Sequence, residues 1–193
     1  MTDTGHSYNN RAPNETRTGN WMQTQFGNQF WPLDPRPEDF DIREIAASLG
    51  KACRYAGHCF GFYSVAEHSV LVSQVVPPEF AMTALMHDAT EAYLVDIPRP
   101  IKPYLQGYKE IEDRLWRAIA QRYGCHADMP QEVKDADNAV LLAEQQQIMA
   151  PSPAPWCVPG EAAKVRIAGY DYHTAGKLFL RRFRELDARS TRS

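Results

Sequence analysis

Four residues stand where an ordinary helical core would carry apolar side chains: His68, His87, Asp88 and Asp137. At helical spacing Val65, His68, Ser69, Val72, Val75 and Val76 share one face, so His68 falls inside an apolar stripe. Phe80, Ala81, Ala84 and Leu85 lead into the pair His87-Asp88, with Glu91 one turn later. Val133, Asp137, Val140 and Leu141 share a face of a third segment, which turns Asp137 inward. Alone, His68 reads as a core histidine and Asp137 as a cap or an arginine partner. Together they differ, because burying an ionised carboxylate without a partner costs several kcal/mol. A single divalent cation resolves the conflict. Imidazole nitrogen with carboxylate oxygen suits Mn, Co, Ni, Fe or Zn, with Mg also admissible. Four protein ligands leave two octahedral positions for a water and a phosphate oxygen, as metal-assisted hydrolysis requires.

Helices must hold these side chains. Asp41 is a plausible N-cap for a helix to about residue 52, with Ile42, Ile45, Ala46 and Leu49 on one face. Ser64 and Glu67 have the spacing of a capping box and open a helix that stops at Pro77-Pro78. A third helix is predicted over residues 79–93, followed by the proline-rich loop at residues 96–100. Helices over residues 107–123, 130–149 and 170–187 complete the set. The four prolines of residues 150–159 make that stretch a loop. Residues 21–33 are aromatic and read as a short hairpin or extended cap that covers part of the main body. Residues 1–19 have little to bury and read as a flexible leader, leaving residues 20–193 as one domain. The fold class is all-α, a helical bundle with a short N-terminal extended segment.

Composition narrows the partners. The chain has 193 residues, 44% hydrophobic and 23% charged, with a net charge of -3. It lacks the bulk basic surface that long nucleic acids demand, so a nucleic-acid polymer is not expected, whereas a single nucleotide remains open. Cys53, Cys59, Cys125 and Cys157 show no two-residue spacing, which suits a reducing compartment better than a disulfide framework. No apolar run approaches the ~20 residues of a bilayer span. The expectation is a cytoplasmic protein without a membrane partner.

The series His68, His87-Asp88, Asp137 resembles the H…HD…D signature of the HD phosphohydrolase superfamily. The segments Tyr63-Ser64-Val65-Ala66-Glu67-His68-Ser69, His87-Asp88-Ala89-Thr90-Glu91-Ala92, Asp96-Ile97-Pro98-Arg99-Pro100-Ile101-Lys102 and Lys134-Asp135-Ala136-Asp137 are similar to 5′-deoxynucleotidases. They are equally similar to small phage dATP triphosphohydrolases. The likeness spans about residues 40–148, and residues 21–41 also resemble phage and prophage members.

The resemblance implies an HD-domain helical bundle with His68, His87, Asp88 and Asp137 as ligands of one divalent metal. It implies Glu91 as the catalytic glutamate and Asp96 as a second acid near the scissile phosphate. Lys102 and Lys134 would neutralise phosphate oxygens. Arg54 and Tyr55 fall where the family has an Arg-Trp pair that holds the sugar and stacks on the base. Residue 91 lies one turn beyond His87-Asp88, so its carboxyl can hang over the ion. Lys134, one turn before Asp137, sets a point charge suited to phosphate on the same helix. His58 reads as a loop residue or a substrate contact, and His6, His126 and His173 as structural or exposed.

The implied activity is hydrolysis of a nucleotide, either a dNMP to nucleoside and phosphate or a dNTP (dATP) to nucleoside and triphosphate. The implied assembly is a homo-oligomer, a dimer or a hexamer. The alternative is a non-catalytic, nucleotide-binding HD signalling module, against which the intact ligand set and Glu91 argue.

Overall fold

The central element is a helix whose residues are buried on nearly every side. The structure, a computed structural model, describes residues 16–190. This chain is mostly α-helical, with one two-stranded ribbon near its N-terminal end: β1 (Met22–Gln23), β2 (Gln29–Phe30), α1 (Ile42–Lys51), α2 (Val65–Val75), α3 (Ala81–Met86), α4 (Glu91–Leu94), α5 (Tyr108–Tyr123), α6 (Gln131–Ile148) and α7 (Tyr172–Ser190). Helix α2 packs against α1, α3, α6 and α7, and so carries His68 into the middle of the molecule. The apolar face expected for it is real except at its end, where Val75 is exposed.

Local sequence explains the helix starts. The Asp41 carboxylate accepts the Arg43 amide and caps α1. The Ser64 hydroxyl accepts the Glu67 amide at 3.2 Å and caps α2. The second half of the expected capping box is not made. Glu67 instead accepts three backbone amides, those of Ala168, Gly169 and Tyr170, at 2.7–3.2 Å. Three charge-assisted bonds to a distant segment outweigh one local bond. They fasten the long connection between α6 and α7 onto α2.

The helix expected over residues 79–93 is not continuous. His87 and Thr90 keep right-handed torsions, but from Met86 to Ala92 the hydrogen bonds shorten to i→i−3 (Ala89 to Met86, Glu91 to Asp88, Ala92 to Ala89). In such a turn residues three apart eclipse, so Glu91 stacks over Asp88 rather than standing off to one side.

The aromatic segment forms the expected ribbon, with Met22 opposite Phe30 and Gln23 opposite Gln29. Phe30 is fully buried and stacks on Tyr93 at 4.0 Å between ring centroids. Buried Glu44 on α1 ties the ribbon down, accepting from the Thr24 hydroxyl at 2.6 Å and the Phe26 amide at 3.0 Å. Of the leader expected over residues 1–19, residues 1–15, with His6, lie outside the described residues. Arg17 is held by Asp34 (3.3 Å) and Asp39 (2.5 Å). All four cysteines are free thiols. Among the described residues no helix is long and apolar enough to cross a membrane.

Helices α1 and α7 cross closely because both carry glycine at the contact. A Cβ on Gly50 would lie 2.5 Å from the Tyr172 carbonyl oxygen, and one on Gly176 would lie 2.9 Å from that of Ala46. A glycine in an open helix gains roughly 1 kcal/mol on becoming alanine. Here the obstacle is backbone, so the sign reverses. Gly50→Ala is expected to destabilise by about 1–3 kcal/mol, lowering the melting temperature by roughly 5 °C in a thermal unfolding scan. An unchanged or raised melting temperature would refute the close crossing.

Candidate metal centre

Three elements converge on one point. Helix α2 supplies His68, fully buried; the turn after α3 supplies His87 and Asp88; α6 supplies Asp137. His68 Nε2 lies 3.1 Å from Asp137 Oδ1 and 3.6 Å from Asp88 Oδ2. His87 Nε2 lies 3.2 Å from Asp88 Oδ2 and 4.0 Å from Asp137 Oδ1. The ligating atoms of His68, His87 and Asp137 all fall within 4.8 Å of one another. A divalent ion bound at about 2.0–2.2 Å holds neighbouring ligands about 3.0–3.5 Å apart, which these separations approach.

The hydrogen bonding of both imidazoles fits the same role. Nδ1 of His87 donates to the Ala84 carbonyl at 2.8 Å, and Nδ1 of His68 donates to Glu144 at 2.6 Å. Each ring therefore turns an Nε2 lone pair toward the aspartates. Both Nε2 atoms are buried and make no hydrogen bond. A bare lone pair facing carboxylate oxygens is repulsive unless a cation stands between them. Without a metal a proton does that work. Burial and Arg54 press the His68 pKa down, but Glu144 and Asp137 outweigh them and push it up to about 9. Burial also presses Asp88 and Asp137 upward. His87, His68 and Arg54 overcome it at Asp88, the two imidazoles overcome it at Asp137, and both carboxyls are held well below the usual range. His68, His87 and Asp137 can thus hold a metal ion, with Asp88 Oδ2 against both ring nitrogens.

Beneath this cluster lies a residue that sequence reasoning missed. Glu144 on α6 is completely buried, and everything around it donates to it. Oε1 accepts from His68 Nδ1 and, at 2.7 Å, from the Tyr63 hydroxyl. Oε2 accepts from Arg54 Nε at 3.3 Å and from the Tyr55 hydroxyl, and Arg54 Nη2 stands 3.2 Å away as an ion pair. Burial pushes its pKa up, but Arg54 and His68 prevail and hold it at about 2. A carboxylate behind a ligand imidazole fixes its tautomer and ring orientation and raises its basicity. The signal was present: Glu144 lies two turns after Asp137 on the same face.

The other expected residues fall into two groups. Arg54 and Tyr55 do reach the site, but they are engaged by protein groups. Arg54 is buried and also lies 3.5 Å from Asp88. Tyr55 takes left-handed torsions (φ 57°). Glu91 is buried beside Asp88, with Oε2 unpartnered and Oε1 3.7 Å from Lys102 Nζ. Burial, Asp88 and Asp96 raise its pKa well above the ordinary value, and burial likewise raises that of Asp96. Asp96 follows Val95, whose φ of 69° and ψ of 152° are almost a glycine-only conformation. Lys102 also pairs with Glu112 at 3.1 Å. Lys134 is exposed and stands outside the cavity lining. Arg99, which sequence reasoning did not single out, pairs with Asp137 Oδ2 at 2.5 Å. A cavity of about 1000 Å³ opens onto this cluster, with Asp88, Glu91, Asp96, Arg99, Lys102 and Asp137 in its wall.

The fold and this cluster define a mostly helical protein with a buried site that can hold a metal ion. No family model matches the chain. It is 45% identical over 128 residues to the uncharacterised protein YfdR of Escherichia coli K12, a match covering 66% of this chain and 72% of that one. It is 35% identical over 142 residues to an uncharacterised protein of Rhodobacter capsulatus, with 66% and 72% covered. The chain belongs to the family of these proteins.

Proposed function

We propose that the protein is a metal-dependent phosphohydrolase of the HD type that acts on a deoxynucleotide. The observation that carries the reading is the pair of buried, unpartnered Nε2 atoms facing two carboxylates at the floor of a large cavity. His68, His87, Asp88 and Asp137 would hold one divalent ion. When bound, such an ion polarises a phosphate oxygen and lowers the pKa of a coordinated water.

The remaining chemistry belongs to side chains in the cavity wall. Hydrolysis forms a bond from a water oxygen to phosphorus and breaks the bond from phosphorus to the leaving oxygen, which then needs a proton. Glu91, whose buried carboxyl favours its protonated form, can supply that proton from its unpartnered Oε2. Lys102 beside it neutralises phosphate oxygens. Arg99, also in the cavity wall, can exchange Asp137 for a phosphate. Arg54 and Glu144 keep the floor rigid.

The test is product analysis with all common dNMPs and dNTPs under Mn, Co, Ni, Fe, Zn and Mg. Orthophosphate from a dNMP identifies a nucleotidase, and inorganic triphosphate from a dNTP identifies a triphosphohydrolase. Nucleotide binding without turnover under every ion overturns the hydrolase reading and leaves a binding module.

A further inference from the structure

The cavity has two chemically different ends. Its charged wall surrounds Asp137 near the first turns of α6. Along the same helix Leu141 lies one turn further, and Met149, just past its end, lies about 18 Å from Asp137 at 1.5 Å per residue. Both line the cavity. Trp156 and Val158, from the connection between α6 and α7, close it there. These four lining residues carry no charge. The span suits a phosphate at one end and a ring at the other.

The closing segment is held in place. Its prolines at 151, 153, 155 and 159 restrict the backbone. Beyond them the chain is strapped to α6: the Ala163 amide bonds the Ala139 carbonyl at 2.8 Å, and Gln147 bonds both Val165 and Ile167. Trp156 is about one-third exposed, and its neighbours leave part of the indole open to the cavity.

Tyr55, by contrast, is not free to stack on a ligand. Glu144 holds its hydroxyl, and the Arg54 guanidinium stands 5.2 Å from its ring. Its centroid lies 6.2 Å from that of Trp156, with the planes tilted by 57°. A planar group sandwiched between two rings needs about 7 Å, so the pair cannot clamp one.

We propose that Trp156, with Leu141, Met149 and Val158, forms the seat for the nucleobase, so that stacking falls to Trp156 and not to Tyr55. The ring identity rests on the nucleotide reading above. Because this wall offers area rather than directed hydrogen bonds, the seat discriminates by ring size. Adenine and guanine bind alike, and both bind better than cytosine or thymine.

The seat can be tested apart from catalysis. Deoxyadenosine, which has no phosphate, is titrated into the full chain in EDTA while tryptophan fluorescence is followed. Quenching is expected in the parent protein and not in Trp156→Phe, because Trp31 and Trp116 are buried elsewhere and half-buried Trp21 is not part of the cavity lining. In turnover assays Trp156→Ala should raise KM for dAMP about tenfold, from the ~1–3 kcal/mol that stacking contributes per base, with kcat within twofold. Trp156→Phe should recover most of the loss. Hydrolysis of 2-deoxyribose 5-phosphate, which lacks a base, should not respond. Equal quenching in Trp156→Phe, or an unchanged KM for dAMP in Trp156→Ala, overturns the seat while leaving the hydrolase standing. Trp156-dependent quenching without turnover of any nucleotide supports the seat and overturns the hydrolase.

Discussion

Glu144→Ala is expected to lower stability by about 3–5 kcal/mol, a large share of the 5–15 kcal/mol that holds a typical domain together. The lost carboxylate is the common acceptor for His68 Nδ1, the Tyr63 and Tyr55 hydroxyls and the Arg54 guanidinium. Arg54 is the decisive member. Its side chain is 8% exposed, so the positive charge cannot turn to water, and Asp88 at 3.5 Å is a weaker partner. A thermal scan should show a melting temperature lower by roughly 10–15 °C. Glu144→Gln keeps the volume but turns an N–H toward groups that all donate, so it too should destabilise, by less. Metal affinity in the glutamine variant should fall about 10–100-fold, because His68 loses the group that fixes its ring. A melting temperature within 2 °C of the parent in the alanine variant would contradict this account of the core.

The site was partly legible because metal ligands disturb a pattern that is otherwise strict. His68, His87 and Asp137 each interrupt an apolar stripe, and interruption of a periodic face can be read without coordinates. Glu144 does the same, but three glutamines follow it, and that polar run resembles a solvated helix face. The spacing from Asp137 would have outweighed composition. Arg99 could not be found this way, since its partner lies 38 positions further along the chain and only the folded loop brings them together. Lys134 shows the converse. One helical turn placed it near Asp137 along the axis, yet the turn of α6 directs it outward.

The fold shows the same division. Helix starts at Asp41 and Ser64 follow from local hydrogen bonding, so they are visible in sequence. The i→i−3 turn across residues 86–92 leaves no compositional trace, because what changes is the hydrogen-bond partner, three residues back instead of four. Glu67 had the right spacing for a local role and was taken by residues 168–170, a tertiary contact that local pattern cannot anticipate.

A divalent transition ion is expected to stabilise the protein strongly, and Asp137→Asn to erase that gain, with a smaller loss of metal-free stability than Glu144→Ala causes. At one hundred times its dissociation constant an ion that binds only the folded state contributes about 2.7 kcal/mol, which raises the melting temperature by roughly 5–10 °C. Asp137 is less costly to neutralise than Glu144, although its Oδ1 faces His68 Nε2 at 3.1 Å. Its second oxygen pairs with Arg99, whose side chain is 56% exposed and readily rehydrated. The same substitution removes a charged ligand from between two imidazoles, so metal binding should collapse. His87→Ala should likewise lose the bound ion, measured by elemental analysis after gel filtration. The Glu144 and Asp137 variants therefore separate two roles: the first chiefly lowers the metal-free melting temperature, and the second chiefly abolishes its rise with metal. A parent protein whose melting temperature responds to none of Mn, Co, Ni, Fe, Zn and Mg would remove the cation from the account.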